Sequence, residues 1–101
     1  MAFVKIELLS WMGEGLADKP LRLLEREVAD GTTLRELLAA LVADHPPLAH
    51  RAYDPQADQV SEQVNLLVND VLAAALSGLD TPLHEGDKVT LLPAYAGGAA
   101  G

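Results

Sequence analysis

Apolar residues recur along the chain with two different periods, and each period marks a different kind of element. From Phe3 to Leu9 they alternate, with Val4, Ile6 and Leu8 on one face and Phe3, Lys5, Glu7 and Leu9 on the other, the period of two that makes a strand. Ser10 to Pro20 breaks the alternation with Gly13, Gly15, Asp18 and Pro20. Leu21 to Val28 then resumes an extended, apolar-rich run, which predicts a hairpin with a long loop. The second run is imperfect, because Leu23 and Leu24 are adjacent and Arg26 falls in phase with Leu24 and Val28; a bulge or an edge position accounts for this. Ala29-Asp30-Gly31-Thr32 is turn chemistry, and Thr33 stands three residues before Glu36, the spacing of a capping box at a helix start. Leu34, Leu37, Leu38, Leu41 and Val42 follow as one apolar stripe, with Arg35, Glu36 and Asp44 off it. Pro46-Pro47 ends the helix, since neither residue donates a backbone hydrogen bond and the ring disfavours helical geometry just before it.

Leu48 to Glu62 shows no period and carries Pro55 among polar residues, so it reads as a loop with one irregular turn. Gln63 to Val68 alternates again, placing Val64, Leu66 and Val68 inward and Gln63, Asn65 and Leu67 outward. Asn69-Asp70 suits a two-residue turn, and Val71 to Ala74 reads as a short returning strand. Ser77 to Leu83 is a compact crossover, Glu85-Gly86-Asp87 a turn, and Lys88 to Leu92 a last strand with Val89 and Leu91 inward. The order is strand, strand, helix, then two or three strands, with no internal repeat. Burying the five stripe side chains is worth roughly 1.5–3 kcal/mol each before chain entropy is charged, so the stripe requires an apolar sheet beneath it.

Length and charge narrow the picture. The chain has 101 residues, half of them apolar, enough for one domain. Cysteine is absent, which removes disulfides, thiolate metal sites and a cysteine nucleophile. Fifteen acidic residues against seven basic ones leave a net charge of −8, which repels nucleic acid and anionic membrane surfaces. No apolar window reaches the ~18 residues of a transmembrane helix, and Met1 to Lys5 does not begin an export leader. The expected location is cytoplasmic.

Local chemistry offers little for catalysis. His45 and His50 are five residues apart across Pro46-Pro47, a spacing that no single helix face provides, so no metal site is expected with or without His84. No carboxylate pairs locally with a nucleophile and a base. Gly13-Glu14-Gly15 lacks the third glycine and the strand-to-helix setting of a dinucleotide loop. Trp11 and Met12 in the same loop are either a partner anchor or, more simply, side chains folded over the core.

The end of the chain differs in character from the rest. After Pro93 it reads Ala94-Tyr95-Ala96-Gly97-Gly98-Ala99-Ala100-Gly101, without stripe, cap or turn partner, which predicts a mobile tail from residue 94 to 101 following a domain of residues 1 to 93. From Pro93 to Gly98 it extends at most roughly 18 Å. Two consecutive glycines fit a channel too narrow for any Cβ.

Leu79-Asp80-Thr81-Pro82-Leu83-His84-Glu85-Gly86-Asp87-Lys88-Val89-Thr90-Leu91-Leu92-Pro93, followed by Ala96-Gly97-Gly98, resembles the terminal block of the ubiquitin-like sulfur carriers. That family includes the molybdopterin synthase small subunit and the thiamine sulfur carrier. Asp30 to Leu38 is similar to the same family at the helix start. The resemblance implies an α+β β-grasp fold: a mixed sheet of four or five strands covered on one face by one long helix, with the first and last strands parallel at its centre. It also implies that the carboxylate of Gly98, presented on Gly97-Gly98, is adenylated by an E1-like, ATP-dependent activating enzyme and converted to a thiocarboxylate. The sulfur then goes to a sulfur-accepting synthase that builds a cofactor or metabolite. Such a carrier is a cosubstrate or a non-catalytic synthase subunit; it binds no cofactor and has no catalytic residue of its own.

Ala99-Ala100-Gly101 departs from the family pattern, because it leaves Gly98 with an amide where a carboxylate is required. Either a processing protease removes these three residues, or they are foreign to the native protein, or the chain does not carry sulfur. Outward Leu67 and Leu92, on strands that the family architecture sets side by side, together with Phe3 or Leu9 and with Tyr95 of the tail, form the expected docking face for a partner. Two other functions remain open on sequence: a protein modifier joined through Gly98 to lysines of its targets, and a plain interaction module that ignores the tail.

Overall fold

The computed structural model describes residues 1–15, 18 and 22–94. Strand β1, Ala2–Leu8, buries alternate residues and pairs antiparallel with β2, Leu23–Val28, in an unbroken register from Ala2 opposite Val28 to Glu7 opposite Leu23. No bulge interrupts this ladder, so the edge position alone explains the irregular run. Arg26 lies on the same side of β2 as Leu24 and Val28 because it spans to Asp44 at the end of the helix, and this pairing holds the Asp44 carboxyl below its usual range. Leu21 falls outside the described residues. In the connecting loop Met12 is fully buried and Trp11 packs against the core, while the Arg51 guanidinium donates to the backbone carbonyls of Trp11, Met12 and Glu14.

Helix α1 spans Leu34–Asp44, and its capping box is complete: the Thr33 side chain accepts from the Glu36 N–H, and the Thr33 N–H donates to Glu36 Oε1 at 2.9 Å. These bonds pull the Glu36 carboxyl below its usual range. Leu34, Leu37, Leu38 and Leu41 are buried, and the helix stops before Pro46-Pro47 with His45 as its C-cap.

The segment from Leu48 to Glu62 is not the loop its lack of period suggests. It folds as a short helix α2, Leu48–Arg51, and a small hairpin of β3, Tyr53–Asp54, with β4, Gln59–Val60. Leu48, Ala52 and Tyr53 join the core with 2% exposure or less. Elements this short carry too few residues to display a period, and their order comes from tertiary contacts. The Tyr53 hydroxyl donates to Asp58 at 2.6 Å, and Arg35 binds both Asp58 and Asp80, tying the hairpin to α1 and to the crossover.

Strand β5, Val64–Val68, turns through Asn69-Asp70, both at positive φ (51° and 68°), into β6, Val71–Leu72, the geometry that matches strand twist in a two-residue hairpin. The returning strand ends at Leu72 rather than Ala74, because Ala73–Ala75 form a 3-10 turn. Alanine has little β preference and no branched side chain to hold a sheet surface. The crossover runs past the start of α1, where the Leu34 N–H donates to the Thr81 carbonyl at 2.9 Å. Gly86, at φ +84°, supplies the tight turn into β7, Lys88–Pro93.

β7 lies parallel to β1 and antiparallel to β5. The five-stranded order is β2-β1-β7-β5-β6, with the first and last strands parallel in the middle and α1 across one face. This is the β-grasp arrangement implied by the resemblance. The core fills the space between helix and sheet, with Val4, Ile6, Leu8, Val89 and Leu91 at no more than 1% exposure. Among the described residues no helix is long and apolar enough to cross a membrane.

Candidate functional site

The two central strands run parallel, so the end of β7 and the end of β1 emerge at the same margin of the sheet. There Pro93 stands opposite Val64, and the Ala94 N–H donates to the Gln63 carbonyl at 2.8 Å. The chain is therefore held by backbone bonding up to its last described residue. Tyr95, Gly97 and Gly98, and the extension Ala99, Ala100 and Gly101, lie outside the described residues.

The face of the sheet away from α1 is built by the register. Glu7 is opposite Leu23 on one side and Thr90 on the other; Thr90 is opposite Leu67, and Leu67 opposite Leu72. Directly opposed residues share a face, so Leu23, Glu7, Thr90, Leu67 and Leu72 form one row across all five strands. Leu92, opposite Asn65, occupies the next row toward the chain end, next to Leu9, whose N–H donates to the Leu91 carbonyl at 3.0 Å. Thr90, in the middle of the row, is 4% exposed, and its Oγ1 has no hydrogen-bond partner among the described residues.

Phe3 shares this face but not this cluster. It lies opposite Glu27, and the row between it and the leucines holds Glu25, Lys5 and Lys88. Lys88 Nζ reaches Asp70 at 3.1 Å and Glu7 at 4.0 Å, so a charged band separates the exposed Phe3 ring from Leu67 and Leu92. Sequence reasoning brings Leu67 and Leu92 together but misses Leu23 and Leu72, exposed at 58% and 50%. Alternation shows that Leu23 faces outward with Glu25 and Glu27, but only the pairing of strands places it in line with Leu67.

Among the described residues, no three His, Asp or Glu side chains converge as a metal site. The cluster of Tyr53, Asp58, Arg35 and Asp80 is a tie between elements: Arg35 draws the Asp58 carboxyl below its usual range, while burial and then the Asp58 bond push the Tyr53 hydroxyl up. What the site offers is an apolar, charge-bordered surface beside the point from which the Gly-Gly segment continues. A surface of this kind can hold a partner.

Comparison with known proteins agrees with this geometry. The model of the ThiS family matches residues 18–98, and so ends on the second glycine. The sulfur carrier protein CysO of Mycobacterium tuberculosis is 38% identical over 71 residues, 69% of this chain and 76% of that protein. Its crystal structure superposes with a TM-score of 0.70 at 27% identity, covering 90% of this chain and 98% of CysO. Small archaeal modifier protein 3 of Haloferax volcanii is 35% identical over 71 residues, 70% of this chain and 75% of that protein. The crystal structure of small archaeal modifier protein 1 from the same organism gives a TM-score of 0.74 at 26% identity, covering 92% of this chain and 98% of the other.

Proposed function

Because this chain belongs to the ThiS family and is a ubiquitin-like sulfur carrier, we propose that its working end is Gly98, freed as a carboxylate once a protease removes Ala99-Ala100-Gly101. An activating enzyme then joins that carboxylate to the α-phosphate of ATP with loss of pyrophosphate. Sulfide attacks the carbonyl carbon of the acyl adenylate, the C–O bond to AMP breaks, a proton is lost, and the thiocarboxylate is presented to a sulfur-accepting synthase. A carboxylate is a poor electrophile and an acyl adenylate a good one, so the carrier needs no nucleophile, base or cysteine of its own. Leu67, with Leu92 in the adjacent row, docks the activating enzyme and positions the glycines in its channel.

The observation that carries this reading is the exit of the chain from the central strand at Ala94, beside the apolar row, with the family match ending at Gly98. The test uses a version ending at Gly98, mixed with its activating enzyme, ATP and a sulfide source, and weighed intact. A gain of about 16 Da, sulfur for oxygen, is expected. An unchanged mass with an enzyme active on another carrier refutes it.

A second reading draws on the similarity to small archaeal modifier protein 3: the same activated Gly98 forms an isopeptide bond with lysines of other proteins. It predicts target lysines that carry residues 89–98 as a branch after trypsin digestion of cell extracts, Lys88 being the last basic residue before Gly98, and these branches are absent if the chain serves as a carrier alone.

A further inference from the structure

β6 pairs only with Leu67 and Val68, so among the described residues Val64–Leu66 of β5 have no strand on the side away from β7. The Ala94 to Gln63 and Asn69 to Lys88 backbone bonds show that odd-numbered residues of β5 bond toward β7. In an antiparallel ladder the even-numbered ones then turn their peptide groups the other way. Val64 and Leu66 therefore face the open side; there the Val64 N–H donates to the Ser61 carbonyl at 3.4 Å, which leaves the Val64 carbonyl and the Leu66 N–H for a partner strand.

That side is a groove of about 370 Å³ floored by Val64, Leu66, Leu34 and Leu79 and walled by Val60 and Leu72. It is more than twice the ~150 Å³ apolar cavity that accepts a benzene ring, so two aliphatic side chains fit. Val60 and Leu72 remain 37% and 50% exposed. Asp58 and Glu62 stand two positions either side of Val60 and Asp80 follows Leu79, three carboxylates against one guanidinium, Arg35, which binds Asp58 and Asp80.

Each feature selects the occupant. Outward peptide groups call for an extended backbone, since a helix satisfies its own; the apolar floor calls for aliphatic side chains; the acidic flank calls for cations. A second copy of this chain would bring the same net charge of −8. We propose that this groove receives an extended segment of a partner protein, added as a strand beside Val64–Leu66, with two aliphatic side chains flanked by lysine or arginine. This contact does not use the tail, and it shares with the leucine row of the opposite sheet face only Leu72, at the edge between them.

The test is an NMR titration of the isotope-labelled full chain with a doubly blocked synthetic peptide, Lys-Leu-Val-Leu-Lys, in which alternate leucines share one side. Saturable shifts are expected at Val60, Val64–Leu66 and Leu72–Ala74. The Glu-flanked peptide of the same core should bind at least about tenfold more weakly. Ala74→Lys, at an exposed position on the groove, should weaken the Lys-flanked peptide at least about tenfold with the melting temperature unchanged. The proposal is overturned by any of four results: no saturable shift at millimolar peptide, equal binding of both peptides, shifts confined to Leu67 and Leu92, or undiminished binding by Ala74→Lys.

Discussion

Thr33 and Glu36 show how much one local pair decides. Their reciprocal bonds close the start of α1, and with Leu34 bonded to Thr81 they satisfy donors that a helix end otherwise leaves bare. Thr33→Ala is expected to cost about 1 kcal/mol, which lowers the melting temperature of a domain this size by roughly 4–8 °C. The Glu36 and Asp44 carboxyls lie below their usual range, held there by Thr33 and by Arg26. A carboxyl lowered on folding contributes stability that is complete above its unfolded pKa and is lost as pH falls through the folded value. Urea midpoints measured from about pH 7 down to about pH 3 should therefore fall toward acid, and Glu36→Gln should flatten part of that fall. An acid limb identical to that of the parent protein would mean the cap carries no charge-dependent stability.

Strands and the long helix were legible because each repeats a period over enough residues to be recognised. β1, β5 and β7 alternate, and α1 carries its stripe between a cap and two prolines. The segment from Leu48 to Val60 was not legible. Four residues of helix and two-residue strands leave no period to read, and Leu48 and Tyr53 are held inside by the packing of α2 and β3 against α1. Leu48, at 1% exposure, separates the two descriptions: Leu48→Ala should cost about 2–5 kcal/mol as a core truncation, whereas a residue in a surface loop would shift stability by no more than about 0.5 kcal/mol. Chemical denaturation distinguishes them. Tyr53→Phe removes the bond to Asp58 and should cost about 1 kcal/mol.

Across the assembled domain, strand order turns scattered leucines into a surface. Leu67 and Leu92 were readable as outward-facing; that Leu23 and Leu72 line up with Leu67, and that Lys5 and Lys88 divide Phe3 from this row, follows from register. If this row docks the activating enzyme, Leu67→Glu in the version ending at Gly98 should lower kcat/KM for ATP–pyrophosphate exchange at least about tenfold, as a charge at the centre of an apolar interface does. Its melting temperature should stay close to that of the parent, because Leu67 is only half-buried. Phe3→Glu should act more weakly, being beyond the charged band. Equal losses from the two substitutions would shift the docking site off the leucine row.

Local order was written into the chain order of residues. The alternating strands, the capped and proline-stopped helix and the Asn-Asp turn each depend on neighbours within a few positions, where spacing and backbone preference decide. Folding supplied what depends on how elements pair and pack: the unbroken ladder of β1 with β2, the burial of Leu48 and Tyr53 against α1, the leucine row and the open half-edge of β5. Register and burial are properties of pairs brought together from separate elements, and no single element contains both members of such a pair.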